Sequence, residues 1–484
     1  MKSKSRIAII SLLILMVVLN IYLYFNLNDY VDYRISTPGI IDHRWTQIAE
    51  YWYKDGVYSD GTKDAKGNLN PTFSATPVYP FMFYISYLIF GVTEGSYENK
   101  YDEGLAYEVM RIIALLMNMG TVYLSYQIGK LFGNKLAIII FLLAILNMDS
   151  YLWASRFGTP DTALAFFATL SVFYLIKFLI INQSNKNIGL FSLFLGISIL
   201  TKITISYIWV PLLIFLIVYL WRSNNLNSIE KGRFLCIYII IIGVFWGGWK
   251  IRNYYSCGSL KFSSHEGLLY HASYFVSRNE GIDFKEVKKG TKDKLNNSYR
   301  YRSMNEASKS AVQDSVAMEM ILNSPMDYGA MVLKGIFPFL LSTKKPLYLS
   351  YSEKKQNEIM SYYKDYRNSL DHERKLIPIT FGIISVLREN GYMNFVVTNI
   401  LIKTYNCFLI IFFILGLFLF LLNEKLKGHW IIICVLIFIG YFWAVCGIIP
   451  QARYRAPIMP IIYLFSAYGI TNLKQFYFNF RIKR

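Results

Sequence analysis

The chain has 484 residues, of which 54% are hydrophobic and 17% aromatic, with a formal net charge of +19. That hydrophobicity belongs to a membrane protein. Many of the Lys and Arg fall between apolar runs, where they orient spans, so nucleic acid is excluded as a partner.

In chain order, MKSKSR leads into IAIISLLILMVVLNIYLYF, which no small-residue cleavage site follows, and it reads as an uncleaved first span. Further apolar windows of spanning length, or nearly so, lie at about 105–128, 136–148, 162–181, 189–200, 204–221, 234–249, 397–422, 430–448 and 457–472. With Met1 inside, the basic links at 130–135, 186, 222–233 and 425–427 and the tail 474–484 share one side, the positive-inside pattern. The expected fold is an all-α polytopic membrane protein, a bundle of about 10 and up to 13 transmembrane helices, multi-pass in the plasma (inner) membrane with both ends cytoplasmic.

Three organisational parts follow from that phase. Residues 1–250 form a transmembrane module whose first outer loop is 26–104, residues 251–396 an extracytoplasmic loop or small subdomain, and residues 397–484 the last spans and tail. VYPFMFYISYLIFG (78–91) is read as interfacial or partly inserted, because a span there would invert the charge phase after it. Residues 315–337 read as an amphipathic helix broken at Pro325. The five cysteines, Cys236, Cys257, Cys407, Cys434 and Cys446, contain no CxxC pair and read as inert fillers.

Ionisable residues at the outer ends carry the functional signal. In GIIDHRWTQIAEYW (39–52), Trp45, Ile48, Ala49 and Trp52 recur at helical spacing on a face suited to the headgroup level, with Asp42 at the helix start. Asp161, in GTPDTALAFF, opens a span on the same side. Each acid alone could be a helix cap; two on one membrane face point to use in chemistry. Lys202, Arg252, Arg453 and Arg455 also fall at outer ends, where cations are disfavoured, and Arg44 follows two residues after Asp42. They suit either lipid headgroups or a focused phosphate site, since guanidinium pairs with phosphate in bidentate fashion.

Taken in order, these pieces resemble the GT-C glycosyltransferases that use polyprenyl-phosphate sugars, a group that includes protein O-mannosyltransferases and lipid A aminoarabinose transferases. The matching pieces are IIDHRWTQIAEYW, TPVYPFMFYISYLIFG, EVMRIIALLMNMGTVYLSYQIGKLFG, GTPDTALAFF, LGISILTK, WGGWKIRNYYSCGSLKFSSHEG and ARYRAPIMPIIYLF, covering most of residues 7–472. The resemblance implies that Asp42 takes the proton from an acceptor hydroxyl, and that Asp161 orients the acceptor or a sugar hydroxyl or supports the first acid. Where the family usually has Glu after its first acid this chain has His43, and where some relatives have Lys it has Thr76, so phosphate binding leans on the other cations. His43, Tyr79, His265, Glu266 and Tyr454 are candidate substrate contacts. No cofactor is required by this reading, and a divalent metal is left open.

The function these observations imply is transfer of a sugar from a polyprenyl-phosphate donor to a glycolipid, cell-surface polysaccharide or protein acceptor on the extracytoplasmic face, with membrane lipids around it. Direct displacement would invert the anomeric centre. The competing readings are a lipid-linked oligosaccharide flippase or transporter, which would place charge near the midplane, and an O-antigen-type polymerase.

Overall fold

A computed structural model of the chain describes residues 2–26, 44–64, 66–92, 105–150, 160–264, 267–341, 361, 393–423, 426–449 and 452–481. Among these the architecture is helical, and the one pairing of extended backbone is an isolated bridge between Lys63 and Leu69. The first half of the chain gives α1 (Lys2–Asn26), α2 (Arg44–Asp55), α3 (Val78–Phe90), α4 (Leu105–Lys130), α5 (Asn134–Ile145), α6 (Asp161–Ile180), α7 (Asn185–Thr201), α8 (Trp209–Arg222) and α9 (Ser228–Ile242). A π-turn at 243–247 carries α9 into α10 (Gly248–Cys257). Then come α11 (Gly267–Glu280), α12 (Phe284–Asn297), α13 (Glu306–Leu322), α14 (Pro325–Lys334), α15 (Ile336–Leu341), α16 (Met393–Asn423), α17 (Leu426–Cys446) and α18 (Met459–Arg481).

Local chemistry explains many of the boundaries. Ser184 caps α7 by accepting from the Asn187 amide, and Asn227 and Glu230 close a reciprocal capping box at the start of α9. α10 stops at Gly258, which takes the left-handed conformation, φ 70°, that a glycine adopts without steric cost. The amphipathic segment breaks after Leu322, and Pro325 opens α14 in its first turn, where a missing amide proton costs nothing.

Each apolar window read from the sequence falls on a helix or a helical pair. Among the described residues seven stretches are long and apolar enough to cross a bilayer, at Glu108–Lys130, Asp161–Ile180, Ile203–Arg222, Ser228–Cys257, Ile400–Leu422, His429–Cys446 and Arg453–Leu473, so the chain is an integral membrane protein. α3 and α5, with 13 and 12 residues, reach only about 20 Å at 1.5 Å per residue, short of a hydrocarbon core of about 30 Å.

α6 packs on α4, on α7 and on the turn Ala456–Ile458 that leads into α18. α16 and α18 cross closely, with Ser466 Oγ donating to the Leu409 carbonyl at 2.8 Å. At one end of the bundle lie Lys130, Lys186 and Arg222; at the other, α6 begins, α7 ends and α18 begins. This second end is covered by the loop 56–77 and by α11–α15. Ser264 N donates to the Phe73 carbonyl (3.1 Å), Ser263 Oγ to that of Ser74 (3.1 Å) and Trp249 Nε1 to that of Phe262 (2.9 Å). Trp443 Nε1 donates to the Val332 carbonyl at 2.8 Å and ties α14 to α17.

Candidate active site

Asp161 is the first residue of α6 and is 1% exposed. Pro160 precedes it as the cap residue, with no side-chain cap, so the carboxylate is free of local capping and meets a distant partner instead. That partner is Lys202. α7 ends at Thr201, the backbone turns extended at Lys202 (φ −155°, ψ 135°), and Lys202 Nζ donates to Asp161 Oδ1.

The Lys202 ammonium also lies 5.0 Å from the centre of the Tyr454 ring, and the Arg453 guanidinium lies 4.9 Å from the same ring. Arg453 Nη2 donates to Tyr454 Oη at 3.1 Å, while its buried Nε has no hydrogen-bond partner among the described residues. The charge of Asp161 reaches Arg453, Tyr454, Cys446 and the Tyr79 phenol. Tyr79 Oη is buried and also lacks a described partner. One carboxylate here stands among two cations, so the cluster has an excess positive charge and a guanidinium edge left over, the requirements for an anion site.

Two further helices close over this point. The Tyr79 ring meets Trp45 of α2 edge-on at 6.1 Å and Phe83 of α3 at 5.5 Å, and Ala49, Tyr79 and Ala163 share one apolar cluster. From above, Tyr270 of α11 is within electrostatic range of Arg453 and Tyr454. Burial pushes the Tyr270 phenol up, so it stays neutral there.

Other cations expected at the site are held elsewhere. Arg455 Nη2 lies 3.2 Å from Asp149 Oδ2, and its Nη1 donates to the carbonyls of Phe339 and Leu340; Asn406 Nδ2 donates to the same Asp149 oxygen at 3.2 Å. Arg252 Nη1 donates to the Thr72 carbonyl at 2.6 Å, with its guanidinium 4.9 Å from the Tyr58 ring and 5.0 Å from that of Trp249. Arg44 Nη1 donates to the Ser74 carbonyl at 3.3 Å. Arg44 and Arg252 thus both brace the loop 56–77. Burial drives the Tyr58 phenol far up, only partly offset by Arg252, and it donates to the Ala75 carbonyl at 3.0 Å.

The structure therefore brings Asp161, Lys202, Arg453, Tyr454 and Tyr79 together and holds Arg44, Arg252 and Arg455 in other contacts. Asp42, His43, His265 and Glu266 lie outside the described residues. Among the described residues no three His, Cys, Asp or Glu side chains gather as a metal site. Sequence reading missed Asp149, Asn406, Cys446 and Tyr270. Asp149 carried a signal, an acid directly after an apolar window; Asn406, Cys446 and Tyr270 carried none.

Residues 74–247, about a third of the chain, match the family model of dolichyl-phosphate-mannose-protein mannosyltransferase. Among solved structures, ArnT from Cupriavidus metallidurans in the apo state is 15% identical with a TM-score of 0.35, the alignment covering 94% of this chain and 76% of that one. The same protein bound to undecaprenyl phosphate gives 14% identity, a TM-score of 0.34 and the same coverage. No curated protein sequence matches the chain.

Proposed function

We propose that this chain is a GT-C-type polytopic glycosyltransferase that moves a sugar from a polyprenyl-phosphate donor to an acceptor hydroxyl on the extracytoplasmic face of the membrane; the partial match to the dolichyl-phosphate-mannose-protein mannosyltransferase model supports this reading. One observation carries the reading: a buried carboxylate, Asp161, beside Lys202 and Arg453, with Arg453 Nε unsatisfied among the described residues, at the end of the bundle opposite Lys130, Lys186 and Arg222. The positive-inside rule makes that basic end cytoplasmic and the site extracytoplasmic. Charge at the bundle end, away from the midplane, favours an enzyme over a transporter.

In the reaction, the acceptor oxygen forms a bond to the anomeric carbon as the bond from that carbon to the phosphate oxygen breaks. The electron pair leaves with the phosphate, the hydroxyl proton passes to a base, and the anomeric centre inverts. Asp42 is assigned as that base; it stands two residues before α2, whose Trp45 packs on Tyr79 beside Asp161. Asp161, fixed by Lys202, orients a hydroxyl of the acceptor or sugar. Arg453 binds the leaving phosphate, and Tyr454 positions both cations. Arg252 and Arg44 serve by holding the loop 56–77. The acceptor class is a glycolipid, polysaccharide or protein.

The test is donor consumption by purified protein in nanodiscs against a panel of polyprenyl-phosphate sugars. Asp42→Asn should cost about 10²- to 10⁴-fold in turnover, the scale of a general base, with insertion unchanged; near-normal turnover would remove Asp42 from that role. Asp161→Asn alone leaves Lys202 buried without a counter-charge and should cost about 3–5 kcal/mol of stability. Asp161→Asn with Lys202→Met should recover stability without recovering transfer. Arg453→Ala should raise donor KM, and an unchanged KM would count against a phosphate role.

A further inference from the structure

Between α4, α6, the 146–150 turn and the start of α18 lies a cavity that runs up to the Asp161 carboxylate on the side away from Lys202 Nζ's partner atom Oδ1. Three buried side chains that line it each carry a polar atom with no hydrogen-bond partner among the described residues: Asn118 Nδ2, Asn147 Oδ1 and Asp161 Oδ2. Their residues are 4%, 2% and 1% exposed. Leaving a buried polar atom unsatisfied costs about 1–3 kcal/mol, and three such atoms around one void call for a shared ligand.

Size and charge select which ligand. The void offers about 40 Å³ to the centre of a water-sized sphere, room for a small cluster of ordered waters. A cation is disfavoured as well, because Lys202 neutralises Asp161, Arg455 neutralises Asp149, and the free atom of Asn118 is a donor. We infer that the cavity is a hydration site, whose ordered waters accept from Asn118 and donate to Asn147 Oδ1 and to Asp161 Oδ2.

The consequence for Asp161 is a division of labour between its two oxygens. Lys202 holds Oδ1 and the water cluster holds Oδ2, which fixes the plane of the carboxylate. Asn118 and Asn147 are then positioning residues that act on Asp161 through water. This last step rests on the proposed glycosyl transfer; the hydration itself does not.

Hydroxyl-radical footprinting by synchrotron radiolysis on the full chain in nanodiscs tests the site, because ordered water generates the radical beside the side chain that it touches. Met459 and Tyr463 line the cavity at 7% and 3% exposure and should be oxidised several-fold above Met16 and Tyr87, which are 4% and 2% exposed and lie away from it. Oxidation of Met459 and Tyr463 at the level of those controls would overturn the hydration site. Ala165→Leu, which adds bulk to the cavity wall, should bring the two signals down, and Asn118→Leu provides a second route to the same loss. For the positioning role, Asn118→Leu should lower kcat with donor KM unchanged and Asn118→Ser, which leaves room for water, should restore it; an unaltered kcat would overturn that role. The footprint decides the hydration site whether or not the wild-type protein transfers a sugar.

Discussion

Glu306 shows what folding does to one carboxyl that the sequence presents as an ordinary surface acid. Burial pushes its pKa above the usual range, hydrogen bonds from Ser264 Oγ and Thr72 Oγ1 (3.0 Å) pull it back, and Asp60 adds to the rise. Thr72 Oγ1 also lies 3.3 Å from Asp60 Oδ2, and its single proton serves only one of the two carboxylates. Because the folded chain holds the Glu306 proton to higher pH than the unfolded chain, its stabilising contribution is full below the unfolded value of about 4.3 and is lost as pH rises through the folded value. Glu306→Gln should therefore be more stable than wild type at pH 7, with the difference vanishing near pH 4, as read from thermal unfolding in detergent across that range. A constant difference at all pH values would show that Glu306 acts by packing. Nothing local announces this residue, since Asp60, Thr72, Ser264 and Glu306 meet only through the folded loop 56–77.

Among helices, the α16–α18 crossing makes the sharpest demand on sequence. A Cβ at Gly416 would collide with the Phe465 carbonyl, and one at Gly469 with the Phe412 carbonyl. Small residues let two backbones approach inside a bilayer, where apolar side chains gain nothing by leaving lipid. Gly416→Leu should cost at least the about 1–3 kcal/mol typical of overpacking, seen as a lower thermal midpoint, and more than the same change at Gly440, where a Cβ meets nothing within 4 Å. Helix existence was legible from apolar runs, and the break at Pro325 from the chemistry of proline. The short reach of α5 was less so, because its window runs on through the turn at 146–147 into a second helical stretch.

For the whole molecule, the proposed orientation makes a distinct prediction. Lys289, exposed on α12, replaced by Cys should react with an impermeant thiol reagent in intact cells, whereas Cys at Asn225, exposed between α8 and α9, should react only after permeabilisation. The reverse pattern would turn the protein over and put the Asp161 cluster in the cytoplasm.

The sequence by itself determined the class, the helical windows and the phase of charge across them, because burial in lipid imposes composition and length directly on a chain. It also singled out Asp161, Lys202 and Arg453 one by one as ionisable residues at span ends, and Tyr454 and Tyr79 through the family resemblance of the pieces that carry them. Only the tertiary structure decided that these five share one cluster while Arg252, Arg44 and Arg455 hold carbonyls and Asp149. Partner choice among buried ions depends on separations of a few ångströms between distant segments, and no local pattern encodes those distances.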